Sequence, residues 1–401
     1  MADIAVNENM SSVSLINRVK YSKVLFRIYF HVGTFIVKML KFFLKTDYKL
    51  IVFSSFGGRK FDDSPKAIYE EMLNDHRFDD FTLVWAFINP RAHEIPRGLK
   101  IKTDTYLYYR TLIKARVWVT NSSMTRGLSF KGNNTLVLNT WHGSAIKRLG
   151  IDKLHSAFGY NGGSKEKPSE IRLAQSKYDV EVFSRAHGIP KENFRIIGLP
   201  RNDELIKGNS PEHISEIKRK MGLVYDKKII LYAPTFREFE RDKNNNCTLE
   251  PPLNLKKWET VLGDEYILLY RAHYEVARTL NFSNSDFVYD VSSYENISEL
   301  MLVSDVLISD YSSVFFDYSI LGRPMFVFAY DFEIYNKYRG LYFDIRKELN
   351  DFTSTEAQLI DNLKNLHYDE RCTISKAFSK KYVESYGTAS AKAVDIIYQT
   401  M

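Results

Sequence analysis

KLIVFSSFGG, residues 49–58, reads as a buried strand over 49–55 that runs into a turn at Phe56, Gly57 and Gly58. A short unbroken apolar run ending in glycine suits a strand covered on both faces. The stretch that follows, 64–74, reads as a helix capped near Asp63, so strand, glycine turn and helix open a βαβ layer. Working outward, short apolar runs at 82–88, 115–120 and 135–140 alternate with helical or loop segments such as 105–114. The pattern restarts after a helix near 213–221, with strands expected at 228–233, 266–271, 287–290, 306–309 and 325–328. Two α/β domains in tandem follow. A chain of 401 residues also exceeds what one hydrophobic core usually serves. The turn-rich run Gly198, Leu199, Pro200, Arg201, Asn202, Asp203 reads as the linker. This organisation gives a segment 1–47, a first domain 48–205 and a second domain 206–401. Because open α/β sheets bind ligands at the carboxyl ends of their strands, the two domains are expected to face a central cleft.

Residues 23–45 are strongly apolar, but Lys23, Arg27, His31, Thr34, Lys38, Lys41 and Lys45 recur at spacings of three and four and draw one stripe down a helix. The longest uncharged run, 28–37, is far short of the roughly 20 residues a bilayer span needs. An amphipathic helix lying at an anionic membrane surface is expected, with a core helix of the first domain as the alternative. No small-residue cleavage site follows, which argues against a signal peptide.

The net charge of +7 calls for an anionic partner. No RNA-binding aromatic signature, helix-turn-helix pattern or zinc finger is present, so nucleic acid is set aside. Cys247 and Cys372 have no partner spacing, which excludes a disulfide framework or zinc site and fits a reducing cytoplasm. No pair of carboxylates marks a metal site at a strand end. Neither a metal nor another cofactor is expected, and activity should survive chelation.

Four strand ends carry polar chemistry. The run 135–140 leads into Trp141, His142, Gly143, Ser144, with Lys147 and Arg148 behind; a lone histidine is often structural, but here a glycine admits a ligand and the cations suit an anion. Arg271 and His273 follow the run 266–271 and would share a face by strand alternation, with a salt bridge at a domain edge as the alternative. Ser312 and Ser313, after 306–309, would open a helix whose free amides and hydroxyls make a phosphate seat, although such serines also serve as ordinary N-caps. Pro234, Thr235 and Arg237 again place a hydroxyl and a cation after a strand.

Together these segments resemble the CDP-glycerol glycerophosphotransferase family of teichoic acid and related capsule synthesis. The resemblance runs in order through 140–150, 198–203, 232–237, 271–273, 309–317 and a tail at Tyr330, Asp331 and Arg339 to Asp344. It implies a GT-B-like architecture of two Rossmann-type domains, an acceptor-side one and a CDP-donor-binding one, and a peripheral enzyme on the cytoplasmic face of a bacterial membrane. It further implies that His142, Gly143, Ser144, Ala145 and Ile146 touch CDP-glycerol, with Arg201, Pro234, Thr235, Arg271, Ala272, His273, Ser312, Ser313 and Asp317 completing the site. His142 would be the general base and His273 a second catalytic group. The sequence departs from the family where Ser144, Ala145 and Ile146 replace the more usual threonine, proline and leucine, and where Tyr274 replaces a proline.

The expected reaction moves glycerol phosphate from CDP-glycerol, or ribitol phosphate from a CDP-ribitol donor, to a lipid-linked polymer acceptor and releases CMP. A GT-B glycosyltransferase using a nucleotide sugar and a silent membrane scaffold are the rival readings. Self-association of the chain is left open, because apolar surface used for lipid or for a second copy looks alike in composition.

Overall fold

The computed structural model describes residues 22–132, 134–154, 170–223, 226–235, 237, 253–272 and 285–401. It is an α/β protein built on two parallel sheets. The chain divides into two compact units, one of residues 1–141, 156–172 and 394–401, the other of residues 142–155 and 173–393.

The first sheet contains β1 (Asp47–Ser54), β2 (Thr82–Phe87), β3 (Leu99–Lys102), β4 (Ala115–Thr120), β5 (Leu136–Asn139), β6 (Glu170–Ala174) and β7 (Phe194–Ile196). Their order is β3-β2-β1-β4-β5-β6-β7, and the pairings of β1 with β2 and β4, β2 with β3, β4 with β5 and β5 with β6 are parallel. As the opening motif predicts, β1 enters the turn at Phe56 to Gly58, all at positive φ, and the helix Asp63–Leu73 follows. Its N-cap is Asp62 rather than Asp63, which itself sits at φ 65°. One face of the sheet is packed by Val52, Val84, Trp118 and Val137 with the helix Tyr106–Lys114; the other buries a ring cluster of Phe53, Tyr69, Trp85 and Phe87. Residues 394–401 complete this unit. Asp395 pairs with Arg77 at 2.7 Å, Tyr398 packs on Phe78, and the Thr400 carbonyl accepts from Arg116.

The helix Lys23–Phe43 belongs to the first unit and has two apolar faces. Val37 is buried, Leu40 and Leu44 pack beside it, the Tyr29 hydroxyl donates to the Arg126 carbonyl at 3.0 Å, and Leu128 fills the space over Gly33. The opposite side exposes Leu25, Ile28, Val32, Phe35, Met39 and Phe42. At about 100° per residue these fall, with Val24, Ile36 and Phe43, within an arc roughly 120° wide. Exposed Arg27, His31 and Lys38 run along one flank of that arc. Of the two alternatives the sequence posed, core packing is seen on one face of this helix. No helix among the described residues is long and apolar enough to cross a membrane.

The second sheet contains β8 (Lys228–Tyr232), β9 (Tyr266–Tyr270), β10 (Val288–Asp290), β11 (Val306–Ser309) and β12 (Met325–Val327), ordered β10-β9-β8-β11-β12 and parallel throughout. Strand alternation sends Ile229, Leu231, Ile267, Leu269 and Leu307 to one core and Ile230, Tyr232, Leu268, Tyr270 and Ile308 to the other. Both faces are therefore covered, as parallel sheets require. The strand order reverses between β8 and β11, the switch point at whose carboxyl end such folds bind ligands. The run 198–203 is no loose joint. Pro200–Asp203 form a 3-10 turn with Pro200, Asn202 and Asp203 buried, and the Asp203 carboxylate accepts from the amides of Ala389 and Ser390 at the start of the helix Ala389–Gln399.

Candidate functional site

The switch point brings two of the expected segments together. Beyond β8, Pro234 and Thr235 are buried; beyond β11 come Asp310, Tyr311, Ser312 and Ser313. The Ser309 hydroxyl donates to the Ala233 carbonyl at 2.6 Å, and the Asp310 carboxylate accepts from the Thr235 amide at 2.9 Å. Arg237, fully buried, binds Asp310 at 2.9 Å and Asp331 at 2.6 and 3.0 Å while lying over the rings of Tyr311, Tyr330 and Tyr335. Burial works to lower the Arg237 pKa, but the Asp310 charge and the bond to Asp331 outweigh it and hold the guanidinium charged. Through these contacts it ties the strand ends together. The buried Thr235 hydroxyl, by contrast, has no hydrogen-bond partner among the described residues.

Ser313 stands at the start of the six-residue helix Val314–Ser319 without capping it through its side chain, whereas the Ser312 hydroxyl accepts from the Val314 amide at 3.3 Å. The N-cap residue, Ser313, thus leaves its hydroxyl out of capping, and the residue before it meets the first helical amide. Against Ser313 lies the His142 segment. Gly143 has φ 133°, and a Cβ there would come within 2.7 Å of Ser313 Oγ and 3.2 Å of Arg201 Nη2. Only glycine fits at that approach. His142 is exposed, and its carbonyl accepts from Arg201 Nη1 at 3.1 Å. The preceding Trp141 holds φ 53°, a costly region for an aromatic residue, with its amide on Asn139 Oδ1 at 2.9 Å.

Arg201 does not stand as a lone cation. Its Nη2 reaches Asp317 Oδ2 at 2.6 Å, and both side chains are nearly buried. Asp317 Oδ1 accepts from Asn202 at 2.8 Å. Ser144, Ala145 and Ile146 are buried too and hold the turn from within. The Ser144 hydroxyl bonds Asp179, Ile146 sits in the core, and the Ala145 carbonyl accepts from the Tyr178 hydroxyl at 2.5 Å. Arg271 lies one residue past the end of β9, and its Nη1 donates to the carbonyls of Val291 and Tyr294 at 3.3 and 2.7 Å. The neighbouring Ala272 is buried, its amide on Ser292 Oγ. His273 and Tyr274 lie outside the described residues, so the shared face expected for Arg271 and His273 does. Among the described residues no group of three His, Cys, Asp or Glu side chains is arranged to hold a metal ion.

Sequence reasoning passed over Asp179, Gln175 and the pairing role of Asp317. Asp179 was detectable, since Ser176 followed three residues later by an acid is a helix-start pattern, and Ser176 does cap the helix Lys177–His187. Burial pushes the Asp179 carboxyl up to about 7, against the bonds from the Gln175 amide and the Ser144 hydroxyl, with the Asp317 charge adding to the rise. The sign for stability follows. Below the unfolded value, near 3.8, the proton is on in both states; between there and about 7 only the unfolded chain releases it, so stability falls as pH rises through this window and is level above it. Asp179→Asn removes this titration. Its stability relative to wild type should climb from pH 4 to pH 7 by up to about 4 kcal/mol, three units at about 1.36 each. Urea unfolding at pH 4.5 and pH 8 measures this, and a pH-independent difference would refute it.

A sequence model of the family described as CDP-Glycerol:Poly(glycerophosphate) glycerophosphotransferase matches residues 36–399. The teichoic acid poly(glycerol phosphate) polymerase of Staphylococcus epidermidis is 36% identical over 361 residues, 84% of this chain and 50% of that protein. The teichoic acid glycerol-phosphate transferase of Staphylococcus aureus is 34% identical over 333 residues, 79% of this chain and 84% of that one. The chain thus spans about half the length of the first relative and most of the second. Among solved structures, a variant of the wall teichoic acid polymerase TagF soaked with CDPG superposes with a TM-score of 0.79 at 34% identity, covering 88% of this chain and 89% of that one.

Proposed function

Because the chain belongs to the CDP-glycerol:poly(glycerophosphate) glycerophosphotransferase family, we propose that it transfers glycerol phosphate from CDP-glycerol to a membrane-linked teichoic acid or capsular polymer and releases CMP. The observation that carries this reading is the approach of Gly143 to Ser313 and Arg201, which sets exposed His142 beside the switch point of the second sheet. There, the Thr235 hydroxyl, with no partner among the described residues, is open to a ligand.

His142 takes the proton from a terminal hydroxyl of the acceptor. The acceptor oxygen bonds to the β-phosphorus, and the bond from that phosphorus to the bridging oxygen breaks, so the electron pair leaves with CMP. Arg201, Arg271, His273 and the Ser312 and Ser313 groups steady the charge on the separating phosphates. Gly143 to Ile146, Pro234, Thr235, Ala272 and Asp317 shape the donor site around them. The same proposal gives the chain a GT-B-like organisation, with residues 48–205 on the acceptor side and 206–401 binding the donor.

The test is CMP release from CDP-glycerol, with CDP-ribitol and nucleotide sugars in parallel and a lipid-linked acceptor analogue. Release from a CDP-polyol that persists in chelator supports the reading; release from a nucleotide sugar alone moves the protein to the glycosyltransferases.

The outward apolar arc of the helix Lys23–Phe43, flanked by basic residues, is the pattern of a helix lying in a membrane interface, and the proposal places it on the cytoplasmic face of the membrane. Phe35→Asp and Phe42→Asp alter only exposed positions, so the fold should be kept. Burying a phenylalanine contributes about 1.5–3 kcal/mol, so each change should weaken partitioning onto anionic vesicles by roughly tenfold or more. Sedimentation with vesicles measures it. Undiminished binding by the double variant would remove the helix from the membrane contact.

A further inference from the structure

Six side chains of the second unit form a hydrogen-bond circuit around the turn 142–144, and its direction can be derived. Arg201 can only donate, so the Asp317 carboxylate it grips at 2.6 Å is an acceptor. Asn202 must therefore present its amide nitrogen to Asp317, at 2.8 Å, and the same nitrogen lies 3.0 Å from the Gln175 side-chain oxygen. Gln175 is left to offer its nitrogen to Ser144 Oγ at 3.0 Å. The single hydroxyl hydrogen of Ser144 then goes to Asp179 Oδ2 at 2.9 Å. A second donor, the Gln175 backbone amide, reaches the same oxygen at 3.0 Å. The circuit joins the His142 carbonyl, which accepts from the other arm of Arg201, to Asp179, so the turn is gripped at both of its ends.

We propose that Asp179 is a positioning residue for the transfer reaction: as the terminal acceptor of this circuit, it fixes the Ser144 hydroxyl and through it the place of His142. Asp179 is fully buried, far from any role as a contact of its own with substrate. It can carry a proton on Oδ1, which has no partner among the described residues, and still accept at Oδ2. What the turn needs from it is an acceptor at that point, not a charge. The kinetic part of the inference rests on the transferase reading; the structural part does not.

The test compares Asp179→Ala with Asp179→Asn, which keeps an acceptor oxygen in the same place. For Asp179→Ala, amide exchange in residues 142–146 should speed up by about tenfold while β11 stays protected, and kcat for CMP release should fall by about 10- to 100-fold, the scale of an ångström of misplacement, with KM for CDP-glycerol moving less. Asp179→Asn should restore both readouts to within about threefold of wild type. Should the alanine variant fail to fold, Gln175→Glu supplies the second line. It sets an acceptor against Ser144 Oγ that draws away the hydroxyl hydrogen Asp179 receives, and it should both depress kcat and speed exchange in residues 142–146. An asparagine variant as impaired as the alanine one, a folded alanine variant with unchanged exchange and kcat, or a Gln175→Glu variant with unchanged exchange and kcat would overturn the inference. Absence of CMP release from the wild-type protein would count against the transferase reading instead, leaving exchange to judge the positioning of the turn.

Discussion

His142→Ala should cut CMP release from CDP-glycerol by about 10²- to 10⁴-fold, the usual contribution of a positioned general base. The fold should be unmoved. His142 is exposed, and alanine keeps the main-chain carbonyl that accepts from Arg201. The loss should therefore appear in kcat with little change in KM, the signature of an interaction made only in the transition state. Turnover within about threefold of wild type, in a variant that melts normally, would end the assignment of His142 as the base.

Arg237→Met carries the largest expected effect on stability. The methionine fills part of the volume but leaves the Asp310 and Asp331 carboxylates, both nearly buried, facing each other across Tyr311 without a cation. Breaking a buried pair from one side costs about 3–5 kcal/mol, more than a well-packed apolar replacement of the whole group would. For a body of this size that corresponds to a fall in melting temperature on the order of 10 °C. Thermal unfolding at pH 5 and pH 8 reads the deficit. A deficit under about 1 kcal/mol at both values would mean that the aromatic box, not the ion pairs, holds the strand ends.

How far the sequence discloses this molecule depends on how each element is covered. β4 and β11 span the very residues expected, and β1, β2, β5, β8, β9 and β12 agree to within a residue or two, because strands buried on both faces show as apolar runs. β3, Leu99–Lys102, alternates leucine and isoleucine with lysine at the edge of its sheet, where charge blunts unwanted pairing and also hides the strand. β6 carries Glu170 and Arg172, which pair with each other at 2.8 Å, so an internal ion pair masks it. β7 is only three residues at the other edge.

In the site, the type of chemistry was readable and the partners were not. A histidine before a glycine and two serines after a strand announce themselves locally. That Arg201 meets Asp317, 116 positions away, or that the Ser144 hydroxyl turns inward to Asp179, depends on packing that no local pattern encodes. Arg201 consequently reaches this turn already paired with Asp317.

The path of the chain through its two units bears on how the protein is made. The unit built on β1 to β5 begins early but is closed by residues 394–401, whose Asp395 and Tyr398 seat on Arg77 and Phe78. At about 5–20 residues per second, synthesis of the intervening 173–393 takes on the order of 10–40 s. During that interval Phe78 and the end of β4 near Arg116 wait without their cover. The half that leaves the ribosome first is the one finished last, while the later half can complete its own sheet in a single continuous run from β8 to β12.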